Sequence, residues 1–340
     1  MPPLSDDTVL LFYAGPPETD RWVKGDRYLK PMVRPLYRAL TGRQKVSGFQ
    51  VAFEGLVRAL RRRGLDVRVN DRALALRHPE HPVGVAGYPQ ILDGWRLPNP
   101  AVLGPGLLDH PSLAPRLMDD PRFRSYIVPC GWMDEMFRPY YGGKVVLWFS
   151  GLDTSEWRDT RGQEKTTDIL VYDKIRWDRD RLVPELLDPV LAAMERRGLR
   201  VEVLRYRFHD HAAYQAALGR SRGMLFLCEH ETQGLAYQEA MASNVPILAW
   251  DNGFWLDPNR PRWEEHPVPA SSVPYFAPEC GEKFRDVGDF EPALDRFVAG
   301  LDRYTPRDYV TRELSLERSA DLYMRHYRAA AAREPVAAGA

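Results

Sequence analysis

Apolar residues along this chain follow two spacings, and twice they do so in the same order. In "QVAFEGLVRALRRRGLDVRV", Ala52, Leu56, Ala59 and Leu60 recur at helical spacing as far as Gly64, after which Leu65, Val67 and Val69 alternate as a strand does. Gly64 stands where a left-handed residue closes a helix. The same order returns 134 positions later (198 − 64) in "AAMERRGLRVEV", through Met194, the Arg196–Arg197 pair, Gly198, Leu199, Val201 and Val203. The echo predicts a β-α-β unit in each half, although such caps also recur by chance in any α/β chain. "TVLLFYAG" opens the first half as a buried strand and "DILVYDK" opens the second. Two doubly wound sheets follow, with "WFSGLDTSEWRDTRGQEKTTD" as the polar, turn-rich linker between them. In "SLERSADLYMRHYRAA" the spacing of Leu316, Ala320, Tyr323 and Tyr327 predicts a helix, expected to pack back toward the first domain.

Length agrees with two domains, because 340 residues exceed what one core usually serves. The 47 basic and 47 acidic residues cancel, so no global field points to nucleic acid. Three cysteines, Cys130, Cys228 and Cys280, are widely spaced and odd in number, which offers neither a disulfide framework nor a Cys-x-x-Cys metal site. With no signal-like N-terminus and no long apolar run, the expected setting is cytoplasmic. "HDH", residues 209–211, is the nearest approach to a metal-ligand spacing and reads more simply as a solvated loop. The tail "AAAAREPVAAGA" has no pattern and reads as loose.

In doubly wound sheets ligands bind beyond the carboxyl ends of the strands. The most informative such stretch is "FLCEHETQGLAYQEAMASNVPILAWDNG", residues 226–253. "MLFLC" reads as a buried strand, "EHETQG" as its loop, and "GLAYQEAMAS" as a short helix stopped at Asn244 and Pro246 before the strand "PILAW". Glu231 therefore sits in the crevice and Glu239 on the helix. Backbone N–H groups near Gly234 start that helix and form a seat for phosphate, and a glycine there lets the ligand approach. Glu239 offers two acceptor oxygens, which suits a vicinal diol such as that of ribose.

At these residues the chain resembles retaining glycosyltransferases of family four, whose signature is E-x7-E in a segment like "PSxxEGFGLxxxEAMAxGxPVIAxxxGG". "SGFQVAFEGLVRALRRRGLDVRV" is similar to that family's first glycine loop and helix, with Ser47 and Gly48 in place of the double glycine. "KVVLWFSGLDTSEW" resembles its interdomain strand and linker. The resemblance implies the α/β GT-B fold, two facing Rossmann-like domains with a cleft between them. The expected division is 1–149 for the acceptor side, 150–310 for the donor side and 311–333 for the returning C-terminal helix. It implies that Glu239 holds the ribose, with Thr232, Gln233, Gly234, Leu235, Ser47 and Gly48 also on the donor, while Glu231 faces the donor sugar. Lys174 and, five positions on, Arg179 match the family's cations for the leaving diphosphate, with Arg176 as the competitor for the second place. Fixed cations and helix dipoles would then stabilise the departing charge with no cofactor or metal. His110 is the histidine nearest the family's cleft histidine, displaced by several residues in "AVLGPGLLDHP". After "WDNG" the chain departs from the family in a longer, proline-rich segment.

The implied activity is transfer of a sugar, with retention, from a nucleotide-diphosphate sugar to a glycan, lipid-linked or small-molecule acceptor. A nucleotide-sugar epimerase or hydrolase of the same fold and a non-catalytic sugar-nucleotide or glycan-binding module are the alternatives. Residues 21–45 carry eight Lys or Arg interleaved with Trp22, Tyr28 and Tyr37. They read either as a surface for an anionic acceptor or for the inner face of a membrane, or as a solvated helical pair; Pro31 and Pro35 interrupt any long amphipathic helix.

Overall fold

The computed structural model of the chain describes residues 4–16 and 48–332. The basic segment 21–45, Ser47 and the last residues of the tail lie outside the described residues. Contacts divide the chain into two units. One holds the chain up to Val128 with Phe137–Trp148 and the chain from Ala320; the other holds Pro129–Met136 and Phe149–Ser319.

The first unit is built on six parallel strands, β1 (Thr8–Ala14), β2 (Asp66–Val69), β3 (Val83–Gly87), β4 (Ala101–Gly106), β5 (Phe123–Val128) and β6 (Val145–Leu147), in the order β2-β1-β3-β4-β5-β6. The second has five, β7 (Thr167–Lys174), β8 (Val201–Arg205), β9 (Ser221–Cys228), β10 (Ile247–Trp250) and β11 (Gly281–Phe284), in the order β11-β10-β9-β7-β8. Both are doubly wound α/β sheets, as the two spacings in the sequence imply.

The echoed caps form the same motif. Leu65 N donates to Leu60 O and Leu199 N to Met194 O, each at 3.2 Å, and the glycines between them have φ of +81° and +67°. These are the wide hydrogen bonds of a Schellman ending, which turns a helix into the strand that follows. Helix Leu316–Ala331 enters the first unit from Ala320 onward. There the Tyr327 hydroxyl accepts from Leu10 N at 2.8 Å and donates to Pro82 O at 2.5 Å, and Tyr323 packs over Gly84.

Strand pleating decides what faces the site in the second unit. Ile169, Val171, Leu225, Leu227 and Leu248 point into a core with Met194, Phe290 and Phe297. The alternate residues pair across the sheet in register, Leu170 with Met224, Tyr172 with Phe226 and Lys174 with Cys228. Their face carries Tyr214 and Tyr237, whose rings lie 5.2 Å from Tyr172 and 5.5 Å from Phe226. Beyond β7, Asp178 adopts φ +49° and helix Arg179–Leu182 runs through a π-helical turn at Val183–Leu187 into helix Asp188–Arg196. Pro184, which has no N–H to donate, sits in that turn.

Candidate functional site

In the second sheet the chain order reverses between β7 and β9, and the crevice outside their carboxyl ends is where such sheets bind ligands. Lys174 is the last residue of β7 and Glu231 lies three residues beyond β9. The Lys174 ammonium donates to Glu231 Oε1, lies 4.7 Å from the Tyr206 ring centroid, and is nearly buried, as is its partner. Burial works to lower the Lys174 pKa, but the neighbouring Glu231 carboxylate outweighs it and holds the group above its ordinary value. Glu231 is fixed through its backbone as well: its N–H donates to Ser271 O at 2.9 Å, and its carbonyl accepts from Trp132 Nε1 at 2.9 Å.

Helix Leu235–Ala242 begins at Gly234, whose φ is +77°. A Cβ there would collide with the Tyr237 ring, and the left-handed backbone disfavours any other L-residue. The first-turn N–H groups of Leu235, Ala236 and Tyr237 have no carbonyl within the helix to bind, so they present donors and the positive dipole end. One turn on, half-buried Glu239 faces Tyr172, Tyr214 and Glu156. Its carboxyl has no hydrogen-bond or ion-pair partner among the described residues. Burial pushes it up to about 8, with Glu156 adding to the rise and Lys174 opposing it. A carboxylate with no protein partner among the described residues can accept hydrogen bonds from hydroxyl donors.

The two arginines assigned to one place by the sequence are held differently. Arg179 forms a two-pronged pair with Asp173, Nη1 to Oδ1 and Nη2 to Oδ2 both at 2.8 Å, and Nη1 also donates to Ile175 O at 2.9 Å. Arg176 lies against Glu229, which is 1% exposed. Glu229 Oε1 accepts from Arg176 N at 2.7 Å and Trp177 N at 3.0 Å, and Oε2 accepts from Arg176 Nε at 3.2 Å. Arg176 Nη2 donates to His230 O at 2.7 Å. Its guanidinium carbon sits 4.1 Å from the centroid of Trp177, whose ring stacks on His230 at 5.4 Å and 16°. Trp132 and Trp255 meet His230 edge-on at 6.0 and 6.3 Å. Burial, with Arg176 and Lys174 nearby, pushes the His230 imidazole down to about 3, so it is neutral at ordinary pH.

The remaining expected residues fall in several places. Gln233 accepts from Ser150 N at 2.9 Å and donates to Gln238 at 3.0 Å, which ties the loop to the linker, and half-buried Thr232 lies in the turn beside it. Gly48 opens helix Gly48–Arg62 in the first unit, whereas Ser47 lies outside the described residues. His110, also in the first unit, is fully buried; its Nδ1 contacts Ser112 Oγ at 2.7 Å and Ser112 N at 3.2 Å, so it closes a short turn. The structure thus gathers Lys174, Arg176, Glu231, Gly234 and Glu239 at one strand-end crevice. Sequence reasoning passed over Glu229, His230 and Trp177, although all three fall within three residues of the ends of β7 and β9 at the switch point. That position was the signal available to find them.

No protein-family model matches the chain, and no curated protein matches it by sequence. Solved structures do match. The catalytic domain of starch synthase IV from Arabidopsis thaliana, bound to ADP and acarbose, aligns with a TM-score of 0.55 at 10% identity over 96% of this chain and 99% of that one. TarM aligns with a TM-score of 0.53 at 10% identity over 75% of this chain. The alignment covers 56% of TarM, so the chain spans little more than half of that protein's length. At such identity the likeness is one of fold, and the fold of this chain is α/β of the GT-B class.

Proposed function

We propose that this chain is a glycosyltransferase that binds the nucleoside diphosphate of a sugar donor at the switch point of the second sheet. It moves the sugar, with retention of anomeric configuration, to a glycan, lipid-linked or small-molecule acceptor. The observation that carries the reading is the carboxyl of Glu239, unpartnered among the described residues, set on the helix that begins at Gly234 and near the Lys174–Glu231 pair. In this reading the ribose diol donates to Glu239, and the diphosphate lies against the helix N-terminus and the cations. Glu231 orients the donor sugar and stabilises positive charge growing at the anomeric carbon. The bond from that carbon to the phosphate oxygen breaks with its electron pair leaving on the diphosphate, where Lys174 meets the charge; in the net transfer the acceptor hydroxyl oxygen bonds to the carbon and its proton is released to the diphosphate. That the matched starch synthase domain was solved with ADP supports the choice of ligand class.

Among the described residues no helix is long and apolar enough to cross a membrane. Contact with a membrane surface rests on segment 21–45, which lies outside the described residues.

A thermal-shift screen of UDP, ADP, GDP and CDP tests the reading, because a ligand bound only by the native state raises the melting temperature. At least one should do so, and the matching nucleotide sugar should then yield free nucleoside diphosphate and a product of unchanged anomeric configuration when acceptor is added. If none of the four shifts the transition, the donor-site assignment fails.

A further inference from the structure

We infer that Arg176, rather than Arg179, is the second cation on the donor's diphosphate, and that Glu229, Trp177 and His230 are the positioning residues that hold it there. The inference rests on the donor-site reading above and deepens it. Spacing along the sequence favours Arg179, but its guanidinium is already spent: both terminal nitrogens bond Asp173, a carboxylate 3% exposed, and one of them also bonds Ile175 O. For Arg179 to turn to a ligand it would strand a buried carboxylate. Arg176 is committed at only two of its three nitrogens, Nε to Glu229 and Nη2 to His230 O, which leaves Nη1 without a protein hydrogen bond among the described residues. Its side chain is about a quarter exposed, and it lies within electrostatic reach of Glu231 and Cys228 at the crevice.

The frame around Arg176 is built to hold a plane. Glu229 fixes the turn through the Arg176 and Trp177 N–H groups, so its carboxylate is shared between backbone and guanidinium instead of being absorbed by the cation alone. The guanidinium carbon lies 4.1 Å from the Trp177 ring centroid, and the His230 ring stacks on the same indole at 5.4 Å and 16°. The imidazole can serve in that stack because it is neutral; a protonated ring so near Arg176 would repel it. A guanidinium held by a stack and one carboxylate keeps a free N–H edge aimed by its neighbours, which suits a phosphate oxygen better than a mobile lysine would.

The test measures affinity for UDP and UMP, or for whichever diphosphate and monophosphate pair the parent binds, in Arg176→Gln, Arg179→Gln, Glu229→Gln and the double variant Arg176→Gln/Glu229→Gln. The double variant leaves no unpaired buried charge, so it keeps the test open if Arg176→Gln fails to fold. Arg176→Gln and the double variant should lower the ratio of diphosphate to monophosphate affinity by about tenfold, the loss of one charge-assisted contact. Glu229→Gln should lower the melting temperature and also lower the ratio by about threefold, whereas a purely structural role would leave the ratio alone. Arg179→Gln should lower the melting temperature and leave the ratio alone. The inference is overturned if Arg179→Gln collapses the ratio while the Arg176 variants keep it. A parent that binds no nucleoside diphosphate is a different result, one that removes the donor-site reading itself.

Discussion

The two sheets share a scaffold, and among the described residues their switch points are built differently. In each, the second strand precedes the first and the third follows it, so a crevice opens between the first and third strands. In the second sheet charged side chains gather near the strand ends: Lys174 with Glu231, Arg176 with Glu229, and Glu239 without a partner among the described residues. In the first, among the described residues, backbone meets backbone. A Cβ on Gly87 would strike Ala14 O, and one on Gly106 would approach Gly87 O. His110, the titratable group expected on that side, is buried against Ser112. Buried ion pairs add little net stability, since desolvation offsets most of their attraction, so stability alone does not account for several at one strand end. Among the described residues, glycine contacts at the other strand end give close packing of backbone on backbone.

The largest effect should come from cutting the charged pair. Lys174→Met leaves Glu231 nearly buried without its cation, which should cost about 3 kcal/mol of stability in urea unfolding and lower turnover by about a hundredfold or more. A variant as stable and active as the parent would make the two strand ends equivalent. Next come the two acids, which should fail differently. On the proposed reading, in which Glu239 holds the ribose before and during reaction, Glu239→Gln should weaken donor binding by about 1–3 kcal/mol. On the same reading Glu231 acts mainly in the transition state, so Glu231→Gln should depress turnover more than affinity. Calorimetry beside initial rates separates them, and identical defects would undo the division of labour.

A smaller effect follows from the Glu239 carboxyl, raised to about 8 from 4.5 in the fold. Between those values the native chain holds a proton that the unfolded chain has lost. Its contribution to stability is therefore full below about pH 4.5 and is lost as pH rises toward 8. Melting temperature of the ligand-free protein should fall across that window, and Glu239→Gln should flatten the fall. A diol donating to the carboxylate favours the charged form, so nucleotide binding at pH 7 should release close to one proton, measurable as buffer-dependent binding enthalpy. No release would mean that the acid stays neutral and meets the ligand as a donor. Smallest of all, Gly64→Ala and Gly198→Ala should each cost about 1 kcal/mol, from the left-handed backbone, and leave donor affinity unchanged. Unequal costs would show that the matching caps bear different loads in the two units.

Those caps are legible in the chain's residue order. The helical spacing, the closing glycines, the strand alternation and the helix opening at Gly234 depend on hydrogen bonds and steric limits among residues within about five positions of one another, and short-range physics is written in short stretches of sequence. The α/β class and two sheets followed from repeating those units. Contacts between distant residues were not legible in this way. Lys174 meets Glu231 across 57 positions because β7 and β9 are neighbours in register, and Trp132 reaches Glu231 across 99. Arg179 lay at the expected spacing, yet its partner Asp173 is only six residues away, and burial of that carboxylate settled where the guanidinium went. The acidity of Glu239 and the neutrality of His230 come from how much water the packed elements exclude around each group, a quantity that exists only once the sheet, its helix and the tryptophans have come together.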